Sequence, residues 1–256
     1  MGKEEPLQSE LLAENILYFP GHANIVALKL EQKAIIVDAG RNMHTAKRIR
    51  DTVESSFGTK IETVILTHFH SDHTHSLGVY SDCEIIASQQ LVKFLIAAKR
   101  KNLKVPQASF EEEQIIEDGP FKVIIKQTGG HTPDSCYVFS PKHKLLMAGD
   151  NLRSDFLWGG KQSNPDQWIS ALQEYVSFDV DYIIPGHGLI MTKEEVRAIV
   201  EYTVELRRFI HKLIQKGVQE NEIVSRVNSD KPPKQTQVYI HESTIIKWFK
   251  YWKKVA

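Results

Sequence analysis

The chain has little cysteine, no excess charge of either sign and no long apolar run. Two cysteines, Cys83 and Cys136, in 256 residues cannot build a disulfide framework, and each sits in an apolar stretch where a thiol serves as a small hydrophobe. Lys plus Arg and Asp plus Glu stand at 32 each, so no global field draws the protein to nucleic acid or an anionic membrane. No segment approaches the roughly twenty apolar residues that a helical bilayer span needs. Residues 1–6 lack the hydrophobic core of a signal peptide, and Pro6 stands where myristoylation wants Ser or Thr. These absences lead us to expect a cytoplasmic protein with no membrane partner.

What is present is an ordinary globular composition, 41% hydrophobic and 25% charged, with room for one large domain and an appendage. β-like runs at residues 15–19, 23–30 and 34–37 open the chain, the last stopping at Asp38-Ala39-Gly40. Helical spacing covers residues 43–57 and about 88–101, with strands at 62–67 and 84–87. A strand at 121–128 ends in Gly129-Gly130-His131, and residues 136–140 and 144–148 form a hairpin around Pro141. Asn164-Pro165-Asp166 starts a helix to about 176, and a short strand at 182–184 leads into Pro185-Gly186-His187-Gly188. A long helix over about 193–216 stops at Gly217. Beyond it the character changes: Lys231-Pro232-Pro233-Lys234 reads as a hinge, and residues 243–255 as an aromatic helix. The expected division is a main domain over 1–217 and a C-terminal helical extension over 218–256.

The chemistry concentrates at strand ends. After the apolar run Thr63-Val64-Ile65-Leu66 comes Thr67-His68-Phe69-His70-Ser71-Asp72-His73-Thr74-His75. Imidazole and carboxylate together suit zinc, iron or manganese. Residues two apart on an extended backbone share a side, so His68 and His70 can reach one ion. Asp72 and His73 then turn away, free for a second, with Asp72 expected to cap a helix beginning near His73. Asp38, His131, Asp150 and His187 each close another strand, and strand ends of a central sheet converge on one edge.

These residues together resemble the metallo-β-lactamase superfamily: the His-x-His-x-Asp-His signature at His68, His70, Asp72 and His73, the strand-end Asp38, His131 in Gly-His-Thr-Pro, Asp150 in Gly-Asp and His187 in Pro-Gly-His-Gly. The resemblance spans about residues 15–216. It implies a four-layer αββα sandwich. It also implies a first metal on His68, His70 and His131, a second on Asp72, His73 and His187, Asp150 bridging, and Asp38 supporting from beneath. Two divalent cations, zinc first with iron or manganese as alternatives, would share a water and bring its pKa from 15.7 towards about 7. Asp72 would orient that water and take part in proton transfer. The resemblance thus implies a binuclear metallohydrolase of a small-molecule substrate.

Departures narrow the reaction. Familiar zinc β-lactamases place a cysteine or no carboxylate where Asp150 stands, flavodiiron reductases a glutamate where His70 stands, and β-CASP nucleases a whole domain between positions matching Asp150 and His187. The neighbours that remain are compact hydrolases similar to glyoxalase II, lactonases and small phosphodiesterases. Thioester, ester or lactone hydrolysis is the first expectation and phosphodiester cleavage the second. A mononuclear-iron persulfide dioxygenase stays open as an alternative. Candidate substrate contacts are His22 at the mouth and Phe156, Trp158 and Lys161 after Asp150. His75 is expected to point outward, Asp134 to alter the rim, and His44, His143, His211 and His241 to be solvated. In the tail, Ile245, Trp248, Phe249 and Trp252 mark one helix face opposite Lys247, Lys250, Lys253 and Lys254. Packing against the domain or a second copy of the chain is favoured there over a basic aromatic nucleic-acid site.

Overall fold

The computed structural model describes residues 7–98, 106–229 and 239–255. Two β-sheets face one another, with helices on both outer sides. The first contains β1 (Glu10–Ala13), β2 (Ile16–Phe19), β3 (Ile25–Lys29), β4 (Ala34–Val37), β5 (Ile61–Ile65), β6 (Glu84–Ser88) and β7 (Ala108–Phe110), in that spatial order. Its first four strands run antiparallel, and β4 to β7 are parallel. The second contains β8 (Glu113–Asp118), β9 (Phe121–Gln127), β10 (Cys136–Ser140), β11 (Leu145–Arg153) and, beyond a two-residue strand β12 (Phe156–Leu157), β13 (Tyr182–His187). Their order is β13-β11-β10-β9-β8, with only the β11–β13 pair parallel.

The central strands read as continuous apolar runs because both of their faces are buried. In β4, Ile35 and Val37 face the second sheet and meet Val123, Ile125, Val138, Leu145 and Met147. Ala34 and Ile36 face outward, onto α1 (Met43–Phe57) and α3 (Gln89–Ala97). Between these helices in sequence lies the single turn α2 (Ser71–Thr74). The outer face of the second sheet packs on α4 (Pro165–Tyr175) and shares one apolar cluster with α5 (Lys193–Gln215), α6 (Glu220–Ser229) and α7 (Glu242–Val255). This is the four-layer αββα sandwich that the sequence led us to expect.

Helix ends follow the local chemistry. Asn42, Ser88, Asn164 and Thr192 cap α1, α3, α4 and α5 through their side chains, and Thr192 with Glu195 forms a capping box. Asp72 does not cap a helix: α2 begins at Ser71, two residues earlier than expected, with His70 at the N-cap, and Asp72 sits in the first turn. His143 is not solvated either. It is buried, bonded to Ser140 Oγ at 2.7 Å and to the Lys29 carbonyl at 3.0 Å, because the β10–β11 turn folds against the first sheet. Asp134, expected at a rim, is fully buried. His75, the residue that closes α2, is exposed and points outward as expected. Helical pattern at 99–101 and the hinge at 231–234 lie outside the described residues.

The aromatic face of α7 is spent within the chain. Trp248, Phe249 and Trp252 are buried in one cluster with Trp168 and Leu172 of α4 and Leu206 and Ile210 of α5. Ahead of α7, β14 (Tyr239–Ile240) pairs in parallel with β12.

Candidate metal centre

Five segments at one edge of the sandwich deliver the polar groups. β5 leads into His68 and His70, α2 carries Asp72 and His73, the loop after β9 carries His131, β11 carries Asp150 and β13 ends in His187. Seven side chains form two groups. His68, His70, His131 and Asp150 each offer one atom within 4.8 Å of the others, and Asp72, His73 and His187 do the same.

The spacing within these groups is close. His70 Nδ1 lies 3.0 Å from His68 Nε2 and 3.2 Å from His131 Nε2. Asp150 Oδ2 lies 3.7 Å from His68 Nε2 and 3.5 Å from His131 Nε2. It is also 3.2 Å from His187 Nε2, which is 3.4 Å from Asp72 Oδ2. Donors about 2.1 Å from a tetrahedral zinc ion stand roughly 3.4 Å from one another, so these separations match a cation cage. His73 Nε2 and Asp150 Oδ1, 3.2 Å apart, are buried and neither makes a well-aligned hydrogen bond. Buried polar atoms without partners are costly, and a cation between them removes that cost. The donor set therefore fits divalent metal.

Electrostatics point the same way. Burial lowers the His68 and His131 imidazoles, His131 to about 4, so both are neutral and free to ligate near pH 7. Burial also opposes the charge of His73, but Asp150 and Asp38 outweigh it and hold His73 well above the usual range. Asp150 is held well below the usual range: burial opposes its charge, and His73 foremost overcomes that opposition. Without a cation, the proton on His73 balances Asp150.

Supporting contacts fix these rings. Asp38 is buried with φ of 67°, a left-handed conformation uncommon outside glycine and tolerated by Asp. Its carboxylate accepts from Thr67 N and Thr67 Oγ1, each at 2.8 Å, and contacts His73 Nδ1 at 2.7 Å, which turns His73 Nε2 towards Asp150. His131 Nδ1 contacts the Trp158 carbonyl at 2.9 Å, and Asn151 Oδ1 accepts from the His131 backbone N–H at 2.8 Å. Asn24 ties the β2–β3 loop to the His187 loop by donating to the Pro185 and Gly188 carbonyls, both at 2.9 Å. Close approach demands glycine at two places: a Cβ on Gly186 would run into Asp150, and one on Gly130 would meet Asn151 Oδ1 at 2.6 Å and the Trp168 backbone at 3.0 Å.

The candidate substrate contacts divide. His22 Nε2 is 3.7 Å from Asp72 Oδ2 and its ring is 64% exposed, at the mouth. Trp158 is 38% exposed with its ring 6.1 Å from that of His131, and Lys161 is exposed on the same loop. Phe156 instead packs between the Arg153 guanidinium at 4.6 Å and the His241 ring at 6.2 Å. Thr67, Asn151, Asn24 and the Trp158 carbonyl were not singled out from the sequence. Thr67 adjoins the histidine signature and had a positional signal; the others act through long-range backbone contacts that no local pattern announces.

Comparison with known proteins agrees with this geometry. The chain is 23% identical over 180 residues to a metallo-beta-lactamase type 2 of Bacillus cereus, covering 67% of this chain and 70% of that protein. It is 28% identical over 122 residues to a hydroxyacylglutathione hydrolase of Bdellovibrio bacteriovorus, covering 46% of this chain and 43% of that one. The sec-alkyl sulfatase PisA1 superposes with a TM-score of 0.77 at 15% identity, over 96% of this chain and 50% of the sulfatase chain. The model of the metallo-beta-lactamase superfamily matches residues 18–187, and the chain belongs to that superfamily.

Proposed function

We propose that the protein is a metal-dependent hydrolase of an ester-type bond, with thioester, ester or lactone ahead of phosphodiester. His68, His70, His131 and Asp150 would hold one divalent cation, and Asp72, His73, His187 and the same Asp150 a second, zinc being the ion this donor set suits. The observation that carries the reading is the pair of donor groups joined through Asp150, with the buried His73 Nε2 and Asp150 Oδ1 lacking a well-aligned hydrogen bond. Once bound, the cations would supply an activated water and polarise the bond under attack.

The chain's own residues supply the rest. Asp72 is the more exposed of the two carboxylates, with Oδ2 facing both His187 and His22, and is placed to orient a water and accept its proton. His22 stands where it can donate to the substrate at the mouth. Trp158 offers an apolar wall beside His131, and Lys161 a positive charge for an anionic substrate group. One relative is named a hydroxyacylglutathione hydrolase, which supports hydrolysis of an acyl bond here. Base stacking by the tail finds no support, since Trp248, Phe249 and Trp252 are buried.

A panel of thioester, lactone and bis-aryl phosphodiester substrates tests this reading. Thioester or lactone turnover is expected, abolished by chelation and restored by zinc. One iron per chain with oxygen uptake on a persulfide would overturn it.

A further inference from the structure

The C-terminal helix reaches the candidate metal centre through the two peptide units that flank Gly159. Gly159 is held at both ends by α7: its N–H donates to Thr244 Oγ1 at 2.9 Å, and its carbonyl accepts from Lys247 Nζ at 2.7 Å. The residue before it, Trp158, presents the carbonyl that meets His131 Nδ1 at 2.9 Å. Upstream, β12 pairs with β14, and the His241 N–H donates to the Leu157 carbonyl at 3.1 Å. Residues 156, 157 and 159 are thus fastened to the C-terminal segment, and the Trp158 carbonyl among them meets His131.

A carbonyl can only accept, so the Trp158 contact requires the His131 proton on Nδ1 and leaves Nε2 as the lone pair. That Nε2 is the atom facing His70 Nδ1 at 3.2 Å and Asp150 Oδ2 at 3.5 Å. A shift of the 158–159 peptide would release the ring to rotate or change tautomer, and a misaimed imidazole is a poor ligand. Lys247 is suited to the grip. Its ammonium lies 5.6 Å from the Trp158 ring centroid, and among the described residues no carboxylate pairs with it, so the grip on this loop is not shared with an acid. A second path reinforces the first: the Trp248 ring packs on Trp168 at 5.8 Å, and Trp168 Nε1 donates to the carbonyl of Asn151, whose side chain holds the His131 backbone.

We infer that Thr244 and Lys247 are positioning residues for His131, acting through the Gly159 peptide and the Trp158 carbonyl to set which nitrogen faces the metal centre. The C-terminal segment is then part of how the centre is built. This inference rests on the proposed metal-binding reading of the site, and its test separates the two.

The test compares full-length Lys247→Met, Lys247→Arg, Thr244→Val and Thr244→Ser by zinc affinity in chelator competition, with circular dichroism as the check on folding. Lys247→Met and Thr244→Val should bind zinc on the order of tenfold more weakly, the lower end of what outer contacts to a ligand are worth. Thr244→Ser and Lys247→Arg should recover most of the loss. In the unmutated chain, NMR of the nitrogen-15-labelled histidines should show the His131 proton on Nδ1 and protected from exchange in the zinc form. This readout holds even where a variant fails to fold. Zinc affinity within twofold of the unmutated chain in both disruptive variants, or a His131 proton on Nε2, would overturn the inference. Failure of the unmutated chain to bind zinc would instead sink the metal-binding reading itself.

Discussion

Asp38 and Asp134 are both buried carboxylates with opposite accounts. Asp38 has three polar contacts and holds His73 towards Asp150. Asn tolerates the same left-handed backbone, so Asp38→Asn should fold but lose the charge behind His73. We expect its zinc affinity to fall roughly ten- to a hundredfold in chelator competition. Neither carboxylate oxygen of Asp134 makes a well-aligned hydrogen bond, and burial pushes its carboxyl up to about 6 against the weaker pull of Thr132 and the Phe69 backbone. Between the ordinary carboxylate value and that figure, the folded state keeps a proton that the unfolded chain releases. Stability from this group therefore declines as pH rises through the interval, and its cost is complete above about pH 6. Asp134→Asn should stabilise the protein in urea unfolding at pH 7 by up to about 3 kcal/mol, with the gain vanishing towards pH 4. At this scale the sequence was informative about acids and imidazoles at strand ends, because the chain there must turn and the residue types are distinctive. It was silent on Asn24 and Asn151, whose partners lie 161 and 20 residues away.

Elements carry the next set of consequences. The apolar spacing of α7 was legible, and it buries the residues that the spacing marked: Trp248 has 0% exposure and its ring sits 5.8 Å from that of Trp168. Trp248→Ala should cost about 3–5 kcal/mol in chemical denaturation, the range for emptying a large buried aromatic site. Thr192→Ala should cost only about 1 kcal/mol, since it removes one side of a capping box at an exposed helix start. Strands β4 and β10 were readable because burial on both faces demands a largely apolar sequence. The strands β1, β7 and β8 were not, having few residues or a mixed, half-exposed pattern. The β12–β14 pair was the hardest, with two residues a strand and partners more than 80 positions apart.

Across the whole molecule, two sheets are stacked so that strand ends from both halves of the chain meet. β5 and α2 supply one side of the centre, and β9, β11 and β13 the other. Asp150 is the meeting point, within 3.7 Å of four imidazoles. Because His73 is held protonated when no cation is present, cation uptake must displace that proton. Zinc affinity should weaken as pH falls, and calorimetry in buffers of different ionisation enthalpy should register proton release on binding; no buffer dependence near neutral pH would contradict the charge arrangement described for His73. The most direct check of the centre is native mass spectrometry of the full chain after dialysis against zinc, alongside Asp150→Ala. Two zinc ions on the unmutated chain, with a marked loss of both in the variant, is the result that a shared carboxylate requires. A metal-free mass in the presence of excess zinc, or undiminished loading of Asp150→Ala, would contradict it.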